Sequence, residues 1–245
     1  MPARLFVESP LQVGTDLDLP TGAARHVQVL RLQPGANLRL FDGRGGEFAA
    51  TLTHMGRSTV RVHVGAHDPV QRELARPVTL ALGMPANERM DTLIEKATEL
   101  GVTAIVPLVC ERSVLRLQGE RAEKRLAHWR GVAVAACEQS GRTRIPVLSA
   151  VAALPAWLHA LPTPGIGARW LLSLDDAPML AQAVASPAGR LDPVLVLSGP
   201  EGGLSPGEAA LAQDFGFTPV SLGPRVLRAD TAPLAVLAWL VLAHP

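Results

Sequence analysis

Residues 194–206 read VLVLSGPEGGLSP, and this stretch decides the predicted fold of the chain. The apolar run at 194–197 is typical of a strand buried on both faces, and the Gly-rich turn after it leads into a helix that starts at Ser205-Pro206. Ligands of open α/β sheets bind at the carboxyl ends of strands, where glycines let backbone groups approach a ligand closely. The turn is neither GxGxxG nor a Walker loop, so it disfavours a dinucleotide or a triphosphate. On these residues alone, a plain tight turn is an equally good interpretation.

A second segment, VSLGPRVLRADTAP at residues 220–233, repeats this order of strand, glycine turn and helix. Arg225 and Arg228 stand near Asp230 in a polar cluster between two apolar stretches, which suits a ligand-binding loop. A charged loop in which Asp230 or Thr231 caps the following helix explains the same residues equally well.

A third segment, AVAACEQSGR at residues 133–142, forms the predicted end of an apolar helix. Glu138, Gln139 and Arg142 fall within about one turn, so they could act together at a site. Gly141 is well placed as a C-terminal cap, and an ordinary helix end is the simpler interpretation.

The two halves of the chain differ in pattern. Residues 1–70 show short alternating runs at 37–41 and 59–64, typical of half-buried strands, and they predict a small β-barrel or sandwich with one helix near 22–30. The polar, proline-flanked stretch that follows predicts a domain boundary. Residues 76–245 alternate strands with helices, which indicates an α/β domain with a mostly parallel sheet covered on both faces. The helices predicted there span residues 88–100, 119–139, 206–214 and 231–243.

The composition limits the possible functions. Among 245 residues, 23 basic and 22 acidic side chains leave a net charge of +1, so any RNA-binding surface must be local. Cys110 and Cys137 have no CxxC or Cys/His spacing, so we expect neither a metal site nor a disulfide framework. Nothing resembles a signal peptide, and the most apolar late stretch is too short to cross a bilayer. The expected protein is cytoplasmic, without a membrane partner.

Four motifs, GPEGGLS, LGPRVLR, MDTLIEKATELGV and ACEQSGR, together with HVQVLR and LFDG, resemble the 16S ribosomal RNA uracil-N3-methyltransferase family of the SPOUT superfamily. The motifs keep the family's order across nearly the whole chain. The resemblance implies an N-terminal PUA-like β-barrel that binds RNA, followed by a SPOUT-type α/β domain with a deep C-terminal trefoil knot. It also implies a homodimer, S-adenosylmethionine as methyl donor, and 16S ribosomal RNA or the assembled small ribosomal subunit as partner.

By motif match, the resemblance assigns the residues that hold the donor; the catalytic candidates follow from the chemistry of the reaction, and the RNA-facing candidates are basic residues of the predicted barrel. Three loops would hold the donor. Uracil N3 carries a proton, so the reaction needs a base that removes it or a cation that stabilises the resulting anion. The favoured bases are Glu201 and Asp230, with Glu138 as a further candidate. The favoured cations are Arg228 and Arg142, with Arg225 as a further candidate. The predicted donor-binding residues are Leu172, Leu174, Ser198, Gly199, Pro200, Gly202, Gly203, Leu222, Gly223 and Leu227; the predicted RNA-facing residues are Arg4, Arg25, His26, Arg31 and Arg44.

Two departures from the family pattern leave alternatives open. Asp230 stands where the family usually has Glu, with Pro233 shortly after it, and Asn87 and Arg89 stand where the family has a basic residue with glycine. One alternative is therefore an RNA-binding ribosome-assembly factor that has lost catalysis. The other is a SPOUT enzyme that methylates another RNA position or base atom.

Overall fold

The computed structural model describes residues 2–86, 89–163, 167–175, 177–184 and 192–243. Asn87 and Glu88, which the sequence predictions included, lie outside the described residues. The chain forms two compact units: the first contains the residues up to Glu73 together with Val134–Ile145, and the second contains Leu74–Ala133 and the residues from Pro146 onward. The sequence suggested a boundary near Glu73, but nothing in it assigned Val134–Ile145 to the first unit.

The first unit is a five-stranded sheet with one helix, which confirms the predicted small β unit. Its strands are arranged in the order β1-β3-β4-β5-β2, and β1 pairs parallel with β3 while the other pairs are antiparallel. Its elements are β1 (Ala3–Phe6), β2 (Asp16–Asp18), α1 (Thr21–Val29), β3 (Asn37–Phe41), β4 (Glu47–Met55) and β5 (Val60–Asp68).

Alternation of apolar and polar side chains builds the core of the first unit. In β5, Val60, Val62 and Val64 are buried, whereas the residues between them face solvent. The helix α1 contributes Val27 to the same core. The helix begins at Thr21, and Pro20 occupies the N-cap position without a side-chain hydrogen bond.

The second unit is an α/β fold around a seven-stranded, fully parallel sheet, which confirms the predicted class. The strand order is β12-β10-β11-β6-β7-β8, and β9 pairs with β7. The strands are β6 (Val78–Gly83), β7 (Ala104–Val109), β8 (Val147–Leu148), β9 (Ala152–Ala153), β10 (Ala168–Leu172), β11 (Val194–Ser198) and β12 (Thr218–Val220). The helices are α2 (Arg89–Glu99), α3 (Gly119–Ser140), α4 (Leu154–His159), α5 (Leu180–Val184), α6 (Pro206–Asp214) and α7 (Thr231–Ala243).

The start of α6 is fixed by a capping box. The Ser205 side chain accepts a hydrogen bond from the Glu208 amide, and Glu208 Oε2 accepts one from the Ser205 amide. The other oxygen of the buried Glu208 carboxylate accepts from the Glu111 amide at 2.8 Å. Glu208 therefore connects the end of the glycine turn to the loop that follows β7.

Parallel pairing brings the predicted loops together. Leu171 pairs with Leu197 of β11, and Leu172 pairs with Val220 of β12, so the carboxyl ends of these strands lie side by side at one edge of the sheet. The glycine turn (residues 199–203) and the arginine segment (residues 222–228) therefore follow strands on either side of β10. The trefoil knot stays a prediction. Within the described ranges, no helix combines the length and the apolarity needed to cross a membrane.

Candidate functional site

A cavity of about 690 Å³ lies where the loops after β10, β11 and β12 meet. Cavities of a few hundred to a thousand cubic ångströms are typical of small-molecule sites. Its lining comes mainly from residues 171–175, 198–206 and 222–232. The fold thus places a ligand-sized space at the carboxyl ends of three adjacent parallel strands, where open α/β sheets bind their ligands.

The glycine turn forms one wall of the cavity. The Gly203 amide donates to the Pro200 carbonyl at 2.8 Å, and Gly203 has φ of +69°, a conformation that side chains disfavour. Gly199 packs so closely that a Cβ there would lie 2.9 Å from the Leu204 amide nitrogen. The turn is consequently tight, with backbone surface exposed to the cavity.

The third loop is held at both of its ends. Gly223 has φ of +106°, and its amide donates to Ser221 Oγ at 3.2 Å. The Arg228 carbonyl accepts from the amides of Thr231 and Ala232 at 2.9 and 3.0 Å, in the first turn of α7. Because these contacts involve only its backbone, the Arg228 side chain stays exposed and lines the cavity.

The cavity combines apolar and charged lining. Leu174 and Val226 are 72% and 77% exposed, an unusual state for large apolar side chains, and they suit a ligand with an apolar face. The charged side chains that line the cavity are Arg89, Arg112, Arg225, Arg228, Asp175 and Glu201. A polar ligand with an aromatic or aliphatic part would match this combination.

Two arginines contact the glycine turn from outside the three loops. Arg112 Nη1 donates to the Gly202 carbonyl at 3.1 Å, and Arg89 Nη1 lies 3.4 Å from Glu201 Oε1. The same Glu201 oxygen accepts from the Ala86 amide at 3.0 Å. Sequence reasoning had noted Arg89 but missed Arg112, whose only signal is its position shortly after a buried strand.

Sequence profiles identify the family of this chain. Residues 72–241 match a family described as an RNA methyltransferase domain, and residues 19–65 match one described as an RNA methyltransferase PUA domain. The chain belongs to this family of RNA methyltransferases. The two matches confirm the predicted order of a PUA-like unit followed by the α/β unit.

Individual proteins similar to this RNA methyltransferase are also named as methyltransferases. A Synechocystis protein named ribosomal RNA small subunit methyltransferase E is 34% identical over 239 residues, covering 97% of this chain and 77% of the relative. A solved structure of the Neisseria gonorrhoeae protein of that name, bound to S-adenosylmethionine, is 35% identical with a TM-score of 0.88, covering 97% of this chain and 96% of its own. A Legionella pneumophila protein with S-adenosylmethionine as bound cofactor is 32% identical with a TM-score of 0.92, covering 99% and 98%.

The predicted donor-binding residues come together in this methyltransferase. All of them line the cavity: Leu172, Leu174, Ser198, Gly199, Pro200, Gly202, Gly203, Leu222, Gly223 and Leu227. Among the predicted catalytic residues, Glu201 and Arg228 also line it. Asp230 is not part of this lining; its carboxylate accepts from the Thr231 hydroxyl at 3.5 Å.

The structure places Arg142 away from the lining of the cavity. Arg142 belongs to the first unit, is only 3% exposed and forms an ion pair with Glu73, whose Oε1 lies 3.2 Å from Arg142 Nε. A guanidinium that is buried and bound by a carboxylate has few donors left for a substrate. Arg142 therefore anchors the end of α3, and Gly141, with φ of +87°, ends that helix as predicted.

The Arg4 side chain is only slightly exposed and is bound within the first unit. The side chain is 11% exposed, forms an ion pair with Glu47 and donates to the carbonyls of Gly141 and Arg142 at 3.0 Å each. Burial raises the pKa of Glu47, but the hydrogen bond and charge of Arg4, with Arg72, outweigh it and hold that pKa below its usual value. These contacts fasten Val134–Ile145 into the first unit.

The other predicted RNA-facing residues are accessible. Arg25, Arg31 and Arg44 are exposed. His26 is 42% exposed, and its Nδ1 lies 3.3 Å from Glu138 Oε2. Glu138 also accepts from the Phe6 amide at 2.9 Å, and burial raises its pKa. Glu138 does not line the cavity, and both of these contacts lie within the first unit.

Proposed function

We propose that this chain transfers a methyl group from S-adenosylmethionine to N3 of a uridine in 16S ribosomal RNA. The observation that carries the proposal is the cavity in which the glycine turn, the loop after β10 and the arginine segment meet. Relatives that share more than 30% identity over most of the chain are named small-subunit ribosomal RNA methyltransferases. The choice of uridine N3 rests on the LGPRVLR motif at residues 222–228.

The cavity residues suit this donor. The exposed backbone of the glycine turn can exchange hydrogen bonds with the ribose and adenine edges, and Leu222 and Leu227 offer the adenine an apolar slot. The absence of a lysine in the turn agrees with a ligand that has no phosphate. The donor supplies an electrophilic methyl group on a sulfonium.

Methyl transfer to N3 requires alignment and the loss of the N3 proton. Arg228 is the cation that we assign to the uracil oxygens, because its side chain reaches the cavity while its backbone is fixed by α7. A guanidinium there would stabilise the negative charge that develops as the proton leaves. Of the two favoured proton acceptors, Glu201 lines the cavity and Asp230 does not, so we assign this role to Glu201.

We assign RNA binding by the first unit to Arg25, Arg31 and Arg44. Phosphate contacts supply most of the affinity of proteins for RNA, and exposed arginines provide them without sequence specificity. The net charge of +1 means that such a surface must be local. The homodimer implied by the family resemblance is part of this proposal, and sedimentation of the purified protein checks it.

Tritiated donor and small ribosomal subunits from a strain that lacks the enzyme test the proposal. We expect label in 3-methyluridine on nucleoside analysis, with comparison of assembled subunits and naked RNA identifying the substrate form. Label in a different nucleoside would show that the enzyme modifies another position. RNA binding without any transfer to either substrate would favour the assembly-factor alternative.

A further inference from the structure

The cavity has a second side that the donor loops do not supply. In the sheet, β11 is followed by β6 and then β7, whereas β10 and β12 lie on the opposite side of β11. Arg89 is the first residue of α2, which follows β6, and Arg112 lies in the loop after β7. These two side chains therefore reach the cavity from strands that carry none of the donor loops.

Both arginines are positioned by consecutive residues of the glycine turn. Arg112 Nη1 donates to the Gly202 carbonyl, and a Cβ on residue 202 would lie 3.0 Å from Arg112 Cβ, so the arginine stem packs on the turn. Arg89 Nη1 is directed to the carboxylate of Glu201. Each guanidinium has five N–H donors, and these contacts use only Nη1 of each. Because Arg112 is exposed and the Arg89 side chain is 42% exposed, further donors remain accessible.

The charge of the lining points to an anion in addition to the donor. Four arginines line the cavity against the two carboxylates Asp175 and Glu201, so positive charge prevails. Guanidinium forks bind phosphate with two parallel hydrogen bonds, and two forks held at neighbouring positions match one phosphodiester. An RNA substrate brings such a group next to every base.

We propose that Arg89 and Arg112 bind a backbone phosphate of the RNA adjacent to the target uridine. This rests on the proposed function, since it takes the base to enter the same cavity. The phosphate contact positions the nucleotide at the glycine turn. Binding of the target strand is thereby coupled to the loop that contacts the donor.

Arg112→Gln, Arg89→Gln and the double variant test this proposal, with Arg121→Gln as control. Arg121 is an exposed arginine of α3 that does not line the cavity. We expect each cavity variant to raise the KM for RNA about tenfold or more, the effect of one lost charge-assisted hydrogen bond. Because both arginines hold the same phosphate, the salt dependence of RNA binding should weaken by about one unit of slope in the double variant. Arg112→Lys should restore part of the affinity, because it keeps the charge without the fork.

The donor also has a carboxylate that arginines could bind. Calorimetry with S-adenosylmethionine distinguishes binding of the RNA phosphate from binding of that carboxylate. The proposal expects donor affinity to fall much less than RNA affinity, because the phosphate contact belongs to RNA and the turn keeps its own hydrogen bond between Gly203 and Pro200. A parallel loss of donor affinity would assign these arginines to the donor and overturn the proposal. An unchanged KM and an unchanged salt slope would also overturn it.

The proposed function and this inference fail in different ways. A wild-type protein that methylates no RNA contradicts the proposed function. RNA affinity, measured by filter binding without methyl transfer, would still reveal whether Arg89 and Arg112 hold phosphate. An active enzyme whose cavity variants match Arg121→Gln contradicts only the phosphate contact.

Discussion

Gly83, the last residue of β6, lies directly against the peptide bond between Gly199 and Pro200. A Cβ on residue 83 would come within 2.5 Å of Pro200 Cδ and 2.6 Å of Pro200 N, distances that real Cβ atoms essentially never show. The glycine turn therefore rests on β6, and its position depends on the missing side chain at residue 83.

Gly83→Ala should displace the glycine turn and weaken donor binding. Overpacking a tight contact with backbone costs about 1–3 kcal/mol, and the backbone that a Cβ on residue 83 would meet belongs to the turn. We expect S-adenosylmethionine affinity to fall about tenfold in calorimetry. Gly131→Ala is the control: it lies in α3 with open space at its Cβ position and should stabilise the helix by about 0.5–1 kcal/mol. Unchanged donor affinity in Gly83→Ala would contradict the inference that the position of the glycine turn depends on residue 83.

Gly202→Val should abolish donor binding while the protein stays folded. A Cβ at residue 202 would lie 3.0 Å from Arg112 Cβ and 3.4 Å from the Arg112 carbonyl, so a branched side chain forces the turn and Arg112 apart. Circular dichroism and calorimetry together check both halves of this prediction. If Gly202→Val binds S-adenosylmethionine as tightly as the wild type, the glycine turn is not part of the donor site.

Arg228→Ala should lose methyl transfer far more than donor affinity. Removing a group that stabilises charge in the transition state typically costs a factor of about 100 to 1,000 in kcat. The backbone hydrogen bonds to Thr231 and Ala232 do not depend on the side chain, so α7 should keep its first turn. Single-turnover kinetics and donor calorimetry give the comparison. Equal losses in both would place Arg228 in the donor pocket rather than in the reaction.

Glu47→Gln should destabilise the first unit by about 3 kcal/mol or more at pH 7, because it leaves Arg4, which is only 11% exposed, without its counter-charge. The pKa of Glu47 is lowered in the folded protein, so its stabilisation is complete above the usual value of 4.5 and is lost as the pH falls through the lowered value. The difference in thermal unfolding temperature between the wild type and Glu47→Gln should therefore shrink in acid. The control Glu120→Gln affects a 76% exposed side chain and should change stability by less than about 0.5 kcal/mol.

Cys110 and Cys137 should resist thiol reagents at pH 8. Both are buried, and burial raises the pKa of each thiol to about 12, so very little thiolate exists. We expect a disulfide-exchange reagent to modify neither residue until denaturant exposes both. Rapid modification of one thiol in the native protein would reveal local opening around it.

The convergence of the predicted donor-binding residues on one cavity could be predicted from sequence because its signals are local. Residues 194–206 and 220–233 each carry a strand, a turn and a helix start within a few positions, and parallel pairing then brings their ends together. The resemblance to a known family supplied the loop after β10, which has no motif of its own.

The environment of a charged residue could not be predicted where its partners are distant in the sequence. Arg142 looked like a functional arginine at a helix end, but its partner Glu73 lies 69 residues away. Arg4 looked like a surface arginine, but Glu47 and the carbonyl of Gly141 enclose it. Local patterns cannot distinguish a buried ion pair from a catalytic one, because burial is decided by tertiary contacts.

The first unit contains two separate pieces of the chain, and this limits how the protein can be divided. A fragment that stops at Glu73 would lack Val134–Ile145, leaving the Phe6 amide without the Glu138 carboxylate and Arg4 without two of its carbonyl acceptors. The first unit is therefore not a detachable module. Any truncated or recombined gene would have to encode both pieces of the first unit, and therefore also the stretch of the second unit that lies between them in the sequence.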